Sequence, residues 1–480
     1  MTEQHPDTSP GGAEANEGDP LRLWGGRFAD GPAPELDRIN RSLPVDWRLW
    51  PYELAVDRAW VEELRASGMF GDDVAERLLS GLDRVGERLQ RGTPGAEADE
   101  DVHTLVERWL AEEVGDDASQ VRIGRSRNDV VATDTRLWTL GACSRIDAAI
   151  ADLQASIVEA AERGLDIAFP AYTHLQRAQP TVAAHWMLSH FWPLIRDRER
   201  LRDSRARVAV LPLGAAAATG STVPVDRERL AECLGFDGPC ENSLDAVGSR
   251  DWVAEVLFAW TQTAIHLSRL AEDLVVYASA EFGLVRLHDA FSTGSSLMPQ
   301  KRNPDGAELA RARGGTAIGL LAGYLATLKG LPTGYSKDLQ EDKRTLFAAE
   351  EDLGETLAVL AGTVGTLEFN PDRAGGALSA DMLAADVAER LAEAGLPFRV
   401  AHELVGELVR RAEQAGVPVS SYVGTRAAEV DERLADVSED WWSIEAALNR
   451  RTVLGGSGPG SVREQLTGAR ARLSRMPSLP

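Results

Sequence analysis

The feature of this sequence that most constrains its fold is a long apolar seam with helical spacing between residues 253 and 278. The apolar residues follow one another at alternating steps of four and three, as they do in helices that pack side by side in a bundle. The seam consists of Val253, Leu257, Trp260, Ala264, Leu267, Ala271, Leu274 and Ala278. A second run with this spacing consists of Ile146, Ile150, Leu153 and Ile157. Because the alternation typical of strands is nearly absent, we expect an all-α fold.

Chain length and the breaks between helical stretches predict the domain organisation. A chain of 480 residues is too long for one hydrophobic core. Polar or Gly/Pro-punctuated segments, which we expect to be loops or helix ends, lie at 120–129, 171–180, 211–222, 292–305 and 331–343. The predicted order is a disordered leader (1–20), an N-terminal helical domain (21–126), a central bundle of five long helices (127–376) and a C-terminal helical domain (377–480). The Ala- and Gly-rich stretch 308–328 is expected at the bundle centre, because small residues let helices approach closely.

Composition argues against several classes of function. The formal net charge of −24 argues against nucleic acid as a partner, because contacts to phosphate need a basic surface. The longest uncharged apolar run, between Arg313 and Lys329, is shorter than the roughly 18–20 residues that a membrane span needs. Cys143, Cys233 and Cys240 form no CxxC pair, so neither a disulfide framework nor a zinc site is indicated. We therefore expect a cytoplasmic protein.

The few lysines point to a functional region. Of 51 Lys and Arg residues only four are lysine, namely Lys301, Lys329, Lys337 and Lys343. A chain that otherwise uses arginine and keeps lysine at one place indicates a need there for a compact point charge. This bias favours chemistry near Lys301 and Lys343.

The segment STGSSLMPQKRNP (292–304) has the composition of an anion-binding loop. When a carbanion forms beside a carboxylate, fixed donors must meet the second charge, and hydroxyls, backbone N–H groups and Lys301 are such donors. Pro304 and Asp305 suit the start of the helix that follows. Taken alone, a Ser/Gly-rich run is more often a linker, and it is the neighbouring lysine that favours a functional loop.

The same segment resembles a known signature. GSSLMPQKRNP (294–304) resembles that of the fumarase/aspartase superfamily, whose members eliminate fumarate from succinyl compounds, and Gln300 with Asp305 resembles its argininosuccinate lyase branch, which includes the delta-crystallins. Further segments resemble the same branch, in the same order: LWGGRF (23–28), NRS (40–42), GRSRND (124–129), VATDTRLW (131–138), THLQRAQP (173–180), NSLDAV (242–247) and YSKDLQEDK (335–343). The resemblance implies a cofactor-free lyase of arginine biosynthesis, which releases fumarate from argininosuccinate by anti β-elimination and leaves L-arginine.

The resemblance also implies roles for individual residues. His174 and Ser295 would transfer protons, and which of the two is the base stays open. A serine needs assistance to act as a base, here from Lys301 and the N–H groups of its loop. Lys301 and Asn303 would bind the carboxylate that takes the aci form. The other substrate contacts would come from Ser126, Arg127 and Asn128 to the succinyl carboxylates, from Thr173, from Tyr335, Gln340 and Lys343 to the amino acid group, and from Ser42 and Asp101.

The resemblance also implies how the protein assembles. At three places, however, this chain departs from the sequence pattern that is common in the branch. The resemblance implies a homotetramer that acts on a small molecule at sites shared between subunits, with no metal or organic cofactor. The chain has Arg122-Ile123 before Gly124 where His-Thr is common, Val56-Asp57 where Gly-Ser is common, and Ala215-Ala216 where Ser-Gly is frequent.

Two alternatives remain open, namely a lyase for another succinyl compound and a non-catalytic helical protein like the crystallins. Retention of the acid/base and carboxylate-binding positions favours an enzyme.

Overall fold

The computed structural model describes residues 32–92, 99–435, 437–477 and 479. The predicted leader and the LWGGRF segment lie outside these residues. The chain divides into two compact units. The first unit contains the described residues up to Trp138, with Ala209–Ser249 and Leu331–Arg344. The second unit consists of Thr139–Val208, Arg250–Gly330 and the described residues from Thr345 onward.

Helices dominate both units, which confirms the all-α prediction. The α-helices are α1 (Pro34–Asn40), α2 (Leu43–Asp46), α3 (Trp50–Ala66), α4 (Asp72–Leu89), α5 (Val102–Val114), α6 (Arg127–Arg163), α7 (Ala183–Ser189), α8 (Phe191–Val208), α9 (Arg227–Leu234), α10 (Ser243–Gly248), α11 (Asp251–Tyr277), α12 (Asp305–Leu328), α13 (Glu341–Thr366), α14 (Pro371–Gly376), α15 (Ala384–Glu393), α16 (Phe398–Ala415), α17 (Val419–Val430), α18 (Ile444–Arg450) and α19 (Pro459–Arg475). Short 3-10 helices lie at Trp47–Leu49, Gly115–Arg122, Asp289–Phe291, Lys337–Gln340, Ala380–Leu383, Glu432–Leu434 and Glu439–Trp442. Within residues 127–376, the helices of 18 or more residues are α6, α8, α11, α12 and α13.

Four pairs of short strands accompany the helices. The strands are β1 (Ala168–Thr173), β2 (Gln176–Val182), β3 (Val210–Leu211), β4 (Gly238–Pro239), β5 (Val285–Arg286), β6 (Thr293–Gly294), β7 (Arg302–Asn303) and β8 (Glu368–Phe369). β3 and β4 are parallel, whereas β1 with β2, β5 with β8, and β6 with β7 are antiparallel. The prediction of a loop at 171–180 is therefore wrong, because most of this segment belongs to the β1–β2 hairpin. Its turn lacks the Asn-Gly or Asp-Gly pair that usually marks such a hairpin in sequence.

In the first unit, α4 packs between α3 and α5. The fully buried indoles of Trp60 on α3 and Trp109 on α5 fill much of this core. The helices α4 and α5 approach closely at Gly81, where an added Cβ would lie 2.6 Å from Cγ1 of Val114. Any larger residue at Gly81 would therefore push α5 away.

In the second unit, α11 packs against α8 and α12. Seven of the eight residues of the predicted seam are buried, and Ala278, which follows the last residue of α11, is half-buried. Ile146 and the other three residues of the second predicted run are buried as well. A buried ion pair between Arg198 on α8 and Asp147 on α6, with an Nε–Oδ1 distance of 2.7 Å, stabilises this packing.

The Ala- and Gly-rich helix α12 has both buried and exposed residues in the single chain. Its buried residues are Ala307, Ala310, Gly314 and Tyr324. By contrast, Leu309, Ile318 and Leu325 are 64%, 51% and 49% exposed. Small residues let α12 approach α11, and Arg313 of α12 donates to the carbonyl of Asp352 on α13 at 3.2 Å.

The C-terminal segment has its own apolar cluster. Helices α15, α16 and α17 pack in sequence, and buried residues from Leu383 to Ala447 form the cluster between them. Among the described residues, no helix is both long and apolar enough to cross a membrane.

Candidate active site

The GRSRND segment forms a loop whose backbone is fixed by Asp129. The Asp129 carboxylate accepts N–H groups from Ser126 at 2.9 Å, Gly214 at 2.9 Å and Ala216 at 2.8 Å. Burial raises the pKa of Asp129 to about 6, although these N–H donors act in the opposite direction. The start of α6 is thereby tied to the predicted loop 211–222.

Two further features of this loop set its path. Gly124 has a φ of 77°, and an added Cβ would lie 2.5 Å from Cγ2 of Val223, so the position requires glycine. The Nδ2 group of Asn128 donates to the carbonyl of Ala217 at 3.1 Å. Asn128 therefore has one side of its amide already bound to protein.

Arg127 and Asp101, both predicted site residues, form an ion pair. Nη1 of Arg127 donates to Oδ2 of Asp101 at 2.7 Å, and Nη2 donates to the hydroxyl of Thr104 at 3.2 Å. Asp101 also caps α5, because its Oδ1 accepts the N–H of Thr104 at 2.8 Å. Burial alone would raise the pKa of Asp101, but Arg127, His103 and the Thr104 hydrogen bonds lower it overall. Asp101 is therefore a charged anchor for the Arg127 guanidinium.

Asp46 connects three other parts of the predicted site. Its carboxylate accepts hydrogen bonds from the Ser42 hydroxyl and from the N–H of Val102, next to Asp101. Burial and the charge of Asp101 raise the pKa of Asp46, whereas the charge of Lys343 lowers it, which indicates that Lys343 is near. The Asp46 carboxylate is thus bound by Ser42 and influenced by the charges of Asp101 and Lys343.

The predicted site residues of the 331–343 segment, which are Tyr335, Gln340 and Lys343, each have a different contact. Nζ of Lys343 is buried and donates to Oδ1 of Asp342 at 2.8 Å. Gln340 donates to the carbonyl of Asn40 at 3.3 Å, beside Ser42. Tyr335 packs against the small apolar cluster that contains Ala215 and Val247. The first unit therefore contains eight of the predicted residues, and Asp46 and Asp101 link several of them.

A buried network of charges, which the sequence did not predict, lies beside this region. Nδ1 of His103 is 2.7 Å from Oε2 of Glu53 and 3.8 Å from Oδ2 of Asp134. Burial opposes ionisation of Glu53, but the charge and hydrogen bond of His103 outweigh it and lower the Glu53 pKa to about 2. The pKa of His103 is raised in turn, because Glu53 outweighs the effect of burial. Glu53 and His103 are thus a charged pair.

Asp134 is the third member of this network. Both of its carboxylate oxygens are buried and receive no hydrogen bond from an N–H or hydroxyl donor. Burial and the charge of Glu53 raise the pKa of Asp134 well above its usual value. A proton shared between the two carboxyl groups accounts for the arrangement.

The ligand atoms of Glu53, His103 and Asp134 lie within 4.8 Å of one another, a spacing that a divalent cation accepts. Here His103 and the buried Arg125 already supply positive charge to these carboxylates. The donor set is therefore better suited to a shared proton than to a metal ion.

An open cavity of about 510 Å³ borders this network. The residues that line it include Glu53, Asp57 and His103, and also Ser126 and Arg127, for which the resemblance predicts substrate binding. The buried network and the predicted carboxylate-binding loop therefore face a common space.

In the second unit, Thr173 and His174 lie at the exposed turn of the β1–β2 hairpin. His174 and Leu175 have φ values of 56° and 55°, which side chains other than glycine rarely adopt. A two-residue turn with both φ values positive matches the twist of the flanking strands. Such local strain is typical of functional positions.

The loop that carries Ser295 is presented by a second hairpin. β6 and β7 pair Thr293 with Asn303, and the loop between them is mostly exposed. Oγ of Ser295 accepts the N–H of Met298 at 3.0 Å and the N–H of Leu297 at 3.3 Å. Lys301, near the far end of the loop, is exposed. Two N–H donors at a hydroxyl oxygen stabilise negative charge on that oxygen.

The two hairpins do not form one site within the second unit. Among the described residues of this unit, no hydrogen bond or ion pair joins the hairpin of His174 to that of Ser295. Each hairpin instead presents its functional residue to the outside.

One signal in the sequence would have revealed the buried network. Glu53 and Asp57 are one helical turn apart on α3, and buried Leu54, Val56 and Trp60 surround them in the chain. Two acids within an apolar helix need partners in the interior. In the sequence, His103 of the EDVH segment is a candidate for such a partner.

Comparisons with known proteins agree with these features. A family described as Lyase matches residues 26–319, and the argininosuccinate lyase C-terminal family matches residues 381–449. The argininosuccinate lyase of Roseiflexus castenholzii is 48% identical and covers 93% of this chain and 99% of its own. That of Streptomyces coelicolor is 44% identical and covers 95% and 97%.

Solved structures show the same fold. A variant of EDDS lyase with bound fumarate is 27% identical, with a TM-score of 0.80, and the match covers 93% of this chain and 91% of that one. A class II fumarase from Schistosoma mansoni is 15% identical, with a TM-score of 0.70 and coverage of 83% and 92%, and shows the fold alone. The family predicted from the sequence motifs is confirmed: the chain belongs to the argininosuccinate lyase family of the fumarase/aspartase superfamily.

Proposed function

We propose that this protein eliminates fumarate from argininosuccinate and releases L-arginine. The observation that carries the proposal is the 44–48% identity to argininosuccinate lyases over nearly the whole chain. All thirteen site residues implied by the motifs are present in this sequence. A non-catalytic protein would have no need to keep them together.

The first unit supplies the substrate-binding side of the proposed site. Arg127, with Ser126 and Asn128 beside it, binds the succinyl carboxylates, since a guanidinium forms paired hydrogen bonds to a carboxylate. Asp101 holds one edge of Arg127, and the Arg127 side chain keeps 28% of its surface exposed for substrate. Tyr335, Gln340 and Lys343, with Ser42, bind the amino acid group at the other end, and Thr173 adds a further substrate contact.

The β1–β2 hairpin and the loop between β6 and β7 carry the proposed proton-transfer groups, His174 and Ser295. A base removes a proton from the carbon beside a succinyl carboxylate, and the electrons move into that carboxylate, which takes the aci form. Lys301 and Asn303 stabilise its added charge. The bond from the neighbouring carbon to the guanidinium nitrogen then breaks, and an acid protonates the nitrogen that leaves.

We assign Ser295 as the base and His174 as the acid. The two N–H groups that donate to Ser295 Oγ support this choice, because they favour its deprotonated form. His174, at the strained turn of β1–β2, is free to approach the leaving nitrogen.

We propose that the active protein is a homotetramer whose sites combine residues of different subunits. His174 and Ser295 are both exposed or half-exposed on separate hairpins. The exposed apolar residues of α12 give subunits a surface on which to associate. Association of chains would bring the hairpin of one subunit to that of another.

We further propose a cytoplasmic location, from the state of the cysteines. All three are free thiols, and Cys143 and Cys240 are buried. Burial raises the pKa of Cys143 to about 12, so its thiol is unreactive.

The experiment that tests the function is a comparison of substrates. Purified protein is given argininosuccinate, adenylosuccinate, malate, aspartate or EDDS, and fumarate release is followed by ultraviolet absorbance. We expect release from argininosuccinate, with arginine in equal amount. Release from one of the other compounds instead would keep the reaction type and overturn the substrate. Absence of release from all five, in a folded oligomer, would overturn the enzymatic function.

A further inference from the structure

Arg125 lies in the middle of the proposed carboxylate-binding loop, and its guanidinium contacts α3. It is preceded by Gly124 and followed by Ser126 and Arg127. Its side chain is only 8% exposed and forms an ion pair with Asp57 on α3, which is 3% exposed. Its second amino group, Nη1, is buried without a hydrogen-bond partner. The charge of Asp57 acts most strongly on Arg125, and those of Glu53 and Asp129 add to it.

The rest of the loop is attached at other points. The indole N–H of Trp60 donates to the carbonyl of Ile123 at 2.9 Å, ahead of the loop. Behind Arg125, Asp129 holds the N–H of Ser126 and Asp101 holds Arg127. Among the described residues, the carboxylate within ion-pairing distance of Arg125 is that of Asp57.

We propose that Asp57 is a positioning residue, which acts through Arg125 to hold the carboxylate-binding loop in its substrate-binding geometry. The proposal rests on the proposed function, since it takes Ser126 and Arg127 as substrate contacts. Without the Asp57 carboxylate, the Arg125 guanidinium is left buried and unpaired, which is costly. It would turn toward the neighbouring cavity and move the loop backbone with it.

The surroundings of Asp57 add a pH dependence to this contact. Asp57 is influenced by Arg125 and by the titratable groups of Glu53 on α3, His103 on α5 and Asp134 on α6. Burial is the largest influence and, with repulsion by Glu53, it raises the pKa of Asp57 to about 7 despite the attraction of Arg125. The charged pair is therefore complete above this pH and is lost as pH falls below it.

The test compares Asp57→Asn and Asp57→Glu with wild type. Asp83→Asn is the matched control, because Asp83 also pairs with an arginine, Arg58, but at the surface. We expect Asp57→Asn to raise KM for argininosuccinate about tenfold, equivalent to about 1.4 kcal/mol of binding, with kcat changed less than KM. Asp57→Glu should recover part of the loss, and Asp83→Asn should behave as wild type.

Hydrogen exchange gives a readout that does not need activity. Amides of residues 122–128 should exchange faster in Asp57→Asn than in wild type or Asp83→Asn, while those of α11 remain unchanged. The KM of wild type should also rise as pH falls below about 7, and that of Asp57→Asn should be high on both sides of this pH.

The outcomes separate the two proposals. Asp57→Asn with a lower thermal midpoint but unchanged KM and unchanged exchange at 122–128 would show a purely structural role and overturn the positioning role. If wild type fails to turn over argininosuccinate, the proposed function fails. In that case faster exchange at 122–128 in Asp57→Asn would still support the role of Asp57 in holding the loop, and unchanged exchange would overturn it.

Discussion

The imidazole of His103 lies near two carboxyl groups whose pKa values are shifted in opposite directions. The pKa of Glu53 is lowered and that of Asp134 is raised. The lowered pKa of Glu53 contributes stability above the ordinary glutamate pKa of 4.5, and this is lost as pH falls toward about 2. The raised pKa of His103 contributes stability below its ordinary value of 6.5, and this is lost as pH rises through the raised value. The Glu53–His103 pair is thus most stabilising between these limits.

This difference predicts unequal effects of two similar substitutions. Glu53→Gln leaves a buried charged imidazole without its partner, which costs about 3–5 kcal/mol. Asp134→Asn replaces a protonated acid by another neutral donor, so it should change stability by less than about 1 kcal/mol. Thermal unfolding at neutral pH should show a lower midpoint for Glu53→Gln and little change for Asp134→Asn. Equal losses in the two variants would contradict the protonated state of Asp134.

At the level of elements, the β1–β2 hairpin stores strain at its turn. Leu175 has a φ of 55° and an exposed side chain, so no burial offsets its conformation. Leu175→Gly should remove about 1–2 kcal/mol of strain and slow hydrogen exchange in β1 and β2. Ala168→Gly, at a regularly paired position of the same hairpin opposite Val182, is the control and should accelerate exchange. Faster exchange in Leu175→Gly would show that the turn is not strained.

The elements differ in how far the sequence predicted them. The long helices were predictable because periodicity is local, and the seam of α11 is buried where its spacing places it. The turn at His174 was missed because positive φ is usually marked by glycine or asparagine. The network of Glu53, His103 and Asp134 was missed because its members come from α3, α5 and α6, and their approach depends on tertiary packing. The residue types of the site came from motifs, whereas their mutual hydrogen bonds required coordinates.

For the whole molecule, we predict that the exposed apolar face of α12 mediates the association of chains. Ile318 is apolar and 51% exposed near the middle of this helix. A buried charge without a partner is costly, so Ile318→Asp should shift the protein in sizing experiments from an assembly toward the 51.9 kDa single chain, with loss of activity. Met69→Asp, at a loop position 41% exposed in the first unit, should leave assembly unchanged. An unchanged assembly in Ile318→Asp would show that α12 does not mediate association.

The measurement that tests the account most directly is complementation between His174→Asn and Ser295→Ala. Each variant alone should release fumarate from argininosuccinate at least about 100-fold more slowly than wild type. After the two are dissociated together and reassembled, random mixing gives about one site in four an intact pair drawn from different subunits. We predict recovery of up to this share of wild-type activity in verified mixed tetramers. No recovery in such tetramers would contradict an active site built from His174 of one subunit and Ser295 of another.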